Sequence, residues 1–383
     1  MNGSGAAARI REIVADPTSA MEKLADAGHR VIGLSCPNLP EELPHALGLT
    51  PARIVVRPRP PKRSPEALET FCCTWVQALL DQGMAGDLAF LHGMTLGSNT
   101  CDSLQNLPDI WRRTVERPGA EALHALRLPV VTGEAALEML RAELRVWQGW
   151  LEERAGAGLE PARLEASARL HNRVRAALRE LQRAASAGRV GYSLLQAAAL
   201  AAQTADRQEV ADLLDSVVAE ARGRAPVVRS ARLVLAGGYL DMPRLFEWLE
   251  DRGAAVVDDD TCALSRTFEP AVDLDPDDPL EDIARRHLRR SRCPVHLGSA
   301  ERRAAALLEK VTRGEARAVI LLPYKGCEPH AFDNVLLAEA LERRRIPHIT
   351  LEIEPHLGNW GQISTRLEAF LEMFSEVSDD LFD

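Results

Sequence analysis

The 383-residue sequence has no excess of basic charge: 46 Lys and Arg stand against 56 Asp and Glu, a net charge of −10. A nucleic-acid partner calls for a basic face that replaces phosphate counterions, so that class is excluded. No stretch approaches the roughly 18 apolar residues that a membrane span needs. The first nine residues lack the charged-then-apolar layout of a signal peptide. A cytoplasmic location without a membrane partner is therefore expected. No Gly-x-x-x-x-Gly-Lys-Ser/Thr phosphate loop occurs, and Ala236-Gly-Gly238 lacks the third glycine of a dinucleotide fingerprint. Neither ATP nor NAD is expected to bind by those devices. There is also no Cys-x-x-Cys pair, and histidines do not recur at ligand spacing, which removes a compact zinc site.

What is present is an odd set of seven cysteines. In a large, unexported chain these are structural, metal-binding or catalytic thiols rather than a disulfide framework. Three of them follow predicted strands: Val31-Ile-Gly-Leu-Ser-Cys36, Met94-Thr-Leu-Gly-Ser-Asn-Thr-Cys101, and Val319-Ile-Leu-Leu-Pro323 running on to Cys327. In open α/β sheets ligands bind at that carboxyl edge, because its loops carry chemistry while the sheet holds them still.

The length predicts two domains. Strand and helix signals alternate over residues 1–132, with strands predicted at 31–34, 52–57 and 128–132, and helices at 8–29, 66–82 and 103–115. Residues 133–222 are Ala-, Leu-, Arg- and Glu-rich and read as a helical segment. Alternation returns over 223–383, with strands predicted at 231–238, 254–258, before Cys327, and at 348–353. The acidic tail 375–383 is expected to fray. The fold class is α/β: two flavodoxin-like parallel-sheet domains with helices between them.

A cysteine on an apolar strand is ordinarily a small buried hydrophobe, and only the shared position of these three argues for a common metal or cluster site. Five segments add to that argument: Cys36-Pro-Asn-Leu-Pro-Glu-Glu-Leu-Pro-His-Ala-Leu-Gly48, Cys73-Thr-Trp-Val-Gln-Ala-Leu-Leu80, Asn99-Thr-Cys101-Asp-Ser103, Gly326-Cys327-Glu-Pro-His-Ala-Phe-Asp333 and Gly361-Gln-Ile-Ser-Thr-Arg-Leu-Glu368. In this order they resemble the iron–sulfur subunits of the 2-hydroxyacyl-CoA dehydratase and benzoyl-CoA reductase family.

That resemblance implies a [4Fe–4S] cluster between the two domains. By position its ligands are Cys73, Cys101 and Cys327, with Cys36 either a fourth ligand or a close neighbour. It further implies an acyl-CoA substrate, a homologous second subunit or homodimer, and a separate ATP-hydrolysing iron–sulfur activator. Thiolates are the soft ligands such clusters take, and convergent strand ends bring distant cysteines together. Glu42 and His330 are candidate catalytic residues, and Asp102 and Glu328 are further polar candidates. The basic loop with Arg57, Arg59, Lys62 and Arg63 is either a CoA-phosphate contact or ordinary surface. Cys72, Cys262 and Cys293 are expected to be packing residues. The absence of cysteine from 52–71 and 74–100 counts against a double-cubane reductase, the alternative within the family; a cluster-free α/β scaffold is the alternative outside it.

Overall fold

A computed structural model describes residues 5–98, 101–227, 229–274, 278–290 and 293–375. Residues 99 and 100 of the Asn-Thr-Cys segment, and the tail from 376, lie outside them. The first sheet contains β1 (Val31–Leu34), β2 (Thr50–Arg53), β3 (Gly93–Ser98) and β4 (Leu123–Arg127), and the second β5 (Ala231–Gly237), β6 (Ala254–Asp260), β7 (Ala318–Leu322) and β8 (His348–Thr350). Every pairing is parallel, in the orders β2-β1-β3-β4 and β6-β5-β7-β8. The two sheets thus repeat one topology. In each, the chain reverses its direction of winding between the two central strands, β1 and β3 or β5 and β7, and that switch point is where a crevice opens beyond the strand ends.

Parallel strands covered on both faces are apolar throughout rather than alternating. In β7, Ala318, Ile320 and Leu322 enter one core while Val319 and Leu321 pack with Leu307, Leu337 and Leu341 on the other face. Gly33 in β1 is required by close packing, since a Cβ there would lie 2.7 Å from the Leu91 side chain.

Several boundaries differ from the sequence reading. The second strand pairs only over Thr50–Arg53, so Ile54–Val56 run on as buried chain beyond the ladder. The fourth strand is Leu123–Arg127 rather than 128–132; Val130 and Val131 beyond it are 40% and 44% exposed. The helix expected over 66–82 begins only at Thr74, which makes Cys73 its N-cap.

Four helices, Glu134–Ala155, Pro161–Ser186, Tyr192–Thr204 and Arg207–Arg222, separate the sheets in sequence. Gly156, in the left-handed region at φ 65°, ends the first, and Asp206 caps the last by accepting from the Gln208 and Glu209 amides. The 26-residue helix Pro161–Ser186 touches both halves of the chain. Near one end Ser167 Oγ donates to the Glu42 carbonyl at 2.8 Å, and near the other Gln182 Nε2 donates to Asp258 Oδ1 at 3.1 Å. No described helix is long and apolar enough to cross a membrane.

Candidate functional site

The carboxyl ends of both sheets' strands meet around one small cavity of about 110 Å³ with an almost wholly apolar wall. Cys36 enters it after β1, Cys101 after β3, and Cys327 after β7, as the sequence pattern predicts; Cys73 enters from the start of helix Thr74–Met84. Cys262, after β6, and Cys293 line the same cavity. Six of the seven cysteines therefore share it, three from each sheet's half of the chain, and all seven are free thiols. Cys72 points instead to a second pocket.

Local structure explains the convergence. Cys73, Cys101 and Cys327 each stand at the N-cap position of a helix. Gly326 precedes Cys327 at φ +75°, and a Cβ on it would lie 3.1 Å from the carbonyl oxygens of Phe71 and Cys72. Only glycine allows the loop to come this close in this conformation. The Thr74 amide donates to the Lys325 carbonyl at 3.0 Å, joining the Cys73 and Cys327 loops. The Cys73 amide donates to Ser103 Oγ at 3.3 Å, which ties it to the Cys101 loop. On the other side the Cys262 amide donates to the Gly238 carbonyl at 2.9 Å.

The thiols influence one another. A hydrogen bond with Cys73, together with burial, pushes the Cys327 thiol up to about 12, against the pull of His330. Burial raises Cys101, with Cys327, Cys293 and Cys36 adding to it. Burial and the neighbouring Cys262 and Cys36 push Cys293 up to about 12. Cys36 is raised by burial and partly relieved by Arg53 and Arg290.

The remaining wall carries polar groups with no protein partner. Arg53 is 3% exposed, its guanidinium lies 4.2 Å over the Tyr239 ring, and its Nε and Nη1 lack acceptors. Tyr239 Oη and His330 Nε2 are likewise unpaired, and all three side chains line the cavity. Buried donors without partners are costly. Soft thiols facing unpaired donors across an apolar space fit an anionic iron–sulfur cluster, which thiolates ligate and N–H groups support. Among the described residues no three His, Cys, Asp or Glu are spaced to grip a single metal ion.

The predicted catalytic residues part company. His330 is 5% exposed, with Nδ1 3.2 Å from Cys327 Sγ, and burial lowers its pKa. Glu42 is fully buried in an ion pair with Arg175 and does not line the cavity. Arg57 and Arg59 pair with Asp87, and Arg57 also with Asp16. Asp102 and Glu328 line a larger pocket of about 250 Å³ that Cys73, Cys101 and Cys327 line as well.

Cys262 and Cys293 are the residues that the sequence reading set aside. The available signal was that Cys262 stands two residues beyond a strand end, as Cys36 does, but Asp258-Asp-Asp260 makes that strand's end look like a loop.

Comparison with known proteins agrees with the architecture. Residues 36–374 match the family model described as 2-hydroxyglutaryl-CoA dehydratase, D-component. The chain is 25% identical over 372 residues to the lactoyl-CoA dehydratase subunit beta of Anaerotignum propionicum, covering 95% of this chain and 97% of that one. It is 24% identical to the (R)-2-hydroxyglutaryl-CoA dehydratase subunit beta of Acidaminococcus fermentans, with 95% and 97% covered. It is 22% identical to a benzoyl-CoA reductase subunit of Thauera aromatica, with 91% and 92% covered. Two parallel sheets in one strand order, thiols at their facing edges and a match over nearly the whole chain make this protein a member of the 2-hydroxyacyl-CoA dehydratase and benzoyl-CoA reductase family of enzyme subunits.

Proposed function

We propose that the chain is a cytoplasmic, oxygen-sensitive iron–sulfur subunit that passes single electrons to an acyl-CoA thioester. The outcome is either dehydration of a 2-hydroxyacyl group or reduction of an aromatic ring. One observation carries the reading: Cys73, Cys101 and Cys327 line both the six-thiol cavity and the larger pocket beside it. These three thiols would hold a [4Fe–4S] cluster, which would supply one-electron transfer.

The chain's own residues provide the setting. Ala67, Leu68, Phe71 and Ile110 give the larger pocket apolar surface for an acyl chain, and Ser103, Asn106 and Glu328 give it polar groups for the thioester end. His330 keeps Cys327 oriented through its Nδ1 contact. Glu42 acts at a distance, holding Arg175 behind the Cys36 loop.

Electrons come from a separate ATP-hydrolysing activator, consistent with the lack of a phosphate loop in this chain. The relatives are named as subunits, which supports a homologous partner chain or a second copy.

The test is iron and acid-labile sulfide per chain after purification and reconstitution without oxygen, with an electron paramagnetic resonance spectrum of the reduced protein. At least about four irons and a reducible cubane signal are expected. No iron after reconstitution overturns the reading and leaves a two-sheet α/β scaffold.

A further inference from the structure

We propose that a pocket of about 20 Å³ between the Cys36 loop and the helix Pro279–Arg289 binds one small monovalent anion of chloride size, which neutralises a surplus of arginine charge where the two halves of the chain meet. The inference stands independently of the iron–sulfur reading.

Four guanidinium groups line this pocket: Arg53 at the end of β2, Arg175 on the helix Pro161–Ser186, Arg286 on the helix Pro279–Arg289 and Arg290 just after it. All four are at most 8% exposed. Only Arg175 has an ion-pair partner among the described residues, Glu42. Arg286 donates to the Pro270 and Thr267 carbonyls at 2.7 and 2.8 Å, and Arg290 to the Pro37 and Arg266 carbonyls at 2.7 and 2.6 Å. Carbonyls occupy these N–H groups without removing the charge behind them. The carboxylate on the pocket wall, Glu41, stands 3.1 Å from Arg207, a fifth buried guanidinium. Five cations therefore share two carboxylates away from water, and buried charge without a partner is costly. Burial, and then Arg175, push Arg290 down to about 10 and Arg286 well below its ordinary value.

Arg53 turns that surplus into a site. Its Nε and Nη1 are buried with no hydrogen-bond partner. It also lines the thiol cavity, but Arg175, Arg286 and Arg290 line the small pocket and not that cavity. A negative charge among the thiols would thus face Arg53 and leave the other three uncompensated. The volume takes about one water-sized particle. A water molecule would satisfy Arg53 and the unpaired Gln203 Oε1 on the same wall but leave the charge in place. A halide fits the same space and offsets the charge, and full charges outweigh the Gln203 dipole in deciding which sign is held. Phosphate and sulfate are too large.

The experiment uses the full chain purified without oxygen. Thermal unfolding is followed in sodium chloride, in sodium bromide and, at equal ionic strength, in sodium gluconate, whose anion is too large to enter. A saturable rise in Tm of about 2–4 °C is expected with the two halides only, as binding to the folded state requires. In crystals grown in bromide, an anomalous difference peak is expected among Arg53, Arg286 and Arg290. Arg53→Met and Arg286→Met are each expected to abolish the difference between halide and gluconate. An arginine that only packs would lower Tm equally in all three salts and leave that difference intact, which overturns the proposal. A wild-type chain with no bromide peak, or with no halide-dependent rise in Tm, overturns it as well. Both wild-type measurements stand without the variants, so a variant that fails to fold does not shelter the proposal. Iron measured on the same samples is a separate outcome: a bromide site in an iron-free chain upholds this inference and overturns the iron–sulfur reading.

Discussion

At the carboxyl edge of the first sheet, β1 runs out into Ser35 and Cys36, and β2 ends at buried Arg53. At the same edge of the second sheet, β5 ends at Gly237 and runs out into Gly238, and β6 ends in Asp258, Asp259 and Asp260, all at most 4% exposed. Where one sheet places a thiol after its first strand, the other leaves a gap. A Cβ on Gly238 would have the His330 ring as its nearest neighbour at 3.5 Å, so a histidine from a later helix occupies the space.

The charges differ as well. The three aspartates are matched one by one: Asp258 by Lys310 at 2.9 Å and Arg313 at 2.6 Å, Asp259 by the Tyr192 hydroxyl at 2.7 Å, and Asp260 by Arg266 and Arg303. Repetition of strand order therefore fixes where the thiols go, while the charge around them is set separately in each half.

The largest effect that would break this comparison is loss of a thiol at the edge both halves share. Cys101→Ala is expected to remove most of the iron with far-ultraviolet circular dichroism unchanged; full iron content would dissolve the equivalence of the two edges. Next comes the charge that only the second sheet carries. Arg303 is fully buried between Asp260 and Asp333, the latter at 2.7 Å, and Arg303→Met removes a buried cation from between two carboxylates, of which Asp260 keeps Arg266. A loss of about 3–5 kcal/mol in denaturant unfolding is expected.

Glu42 tests the first half in the same way. Burial opposes its ionisation, but Arg175, His171 and Arg286 hold its carboxyl well below the ordinary 4.5. A depressed carboxyl stabilises the fold fully above that ordinary value, and the contribution drains away as pH falls towards the folded one. Glu42→Gln should therefore lower stability most at neutral pH, with the difference from wild type narrowing in unfolding curves taken below about pH 4.5.

Gly326→Ala forces a side chain into the left-handed region against the Phe71 and Cys72 carbonyls. About 1–2 kcal/mol of stability should be lost, with faster iron release to a chelator. The smallest effect belongs to Cys72, the thiol outside the shared cavity. Cys72→Ser should leave the iron count unchanged and cost about 1 kcal/mol.

Much of this was legible in the sequence for a local reason. β1 and β7 are continuous apolar runs ending at Ser35 and Pro323, so the strand ends and the cysteines after them could be placed without neighbours. The fourth strand was missed because Leu123-His-Ala-Leu-Arg127 mixes residue types at a sheet edge, while the better apolar run Leu128-Pro-Val-Val131 follows it outside the ladder. Cys73 was placed inside a helix because Glu66 onward has helical composition; its capping position depends on the Lys325 carbonyl, 251 residues away from Thr74. Cys262 and Cys293 were set aside because what assembles them is long-range. Asp260 is buried against Arg266 and Arg303, and the segment after Cys293 joins the loop beyond β4 through Leu297, whose amide donates to the Val130 carbonyl at 2.8 Å. No short window of sequence holds both sides of those contacts.

The helix Pro161–Ser186 sets one dimension of the molecule. At 1.5 Å per residue its 26 residues measure about 39 Å, and it is fastened beside Glu42 of the first half and at Asp258 of the second. It works as a calliper: the gap between the two thiol-bearing edges is gauged by a rigid rod that supplies no residue to the cavity. Deleting one residue from its middle would shorten the rod by about 1.5 Å and turn one jaw by about 100° relative to the other, misaligning the cysteines without altering any of them.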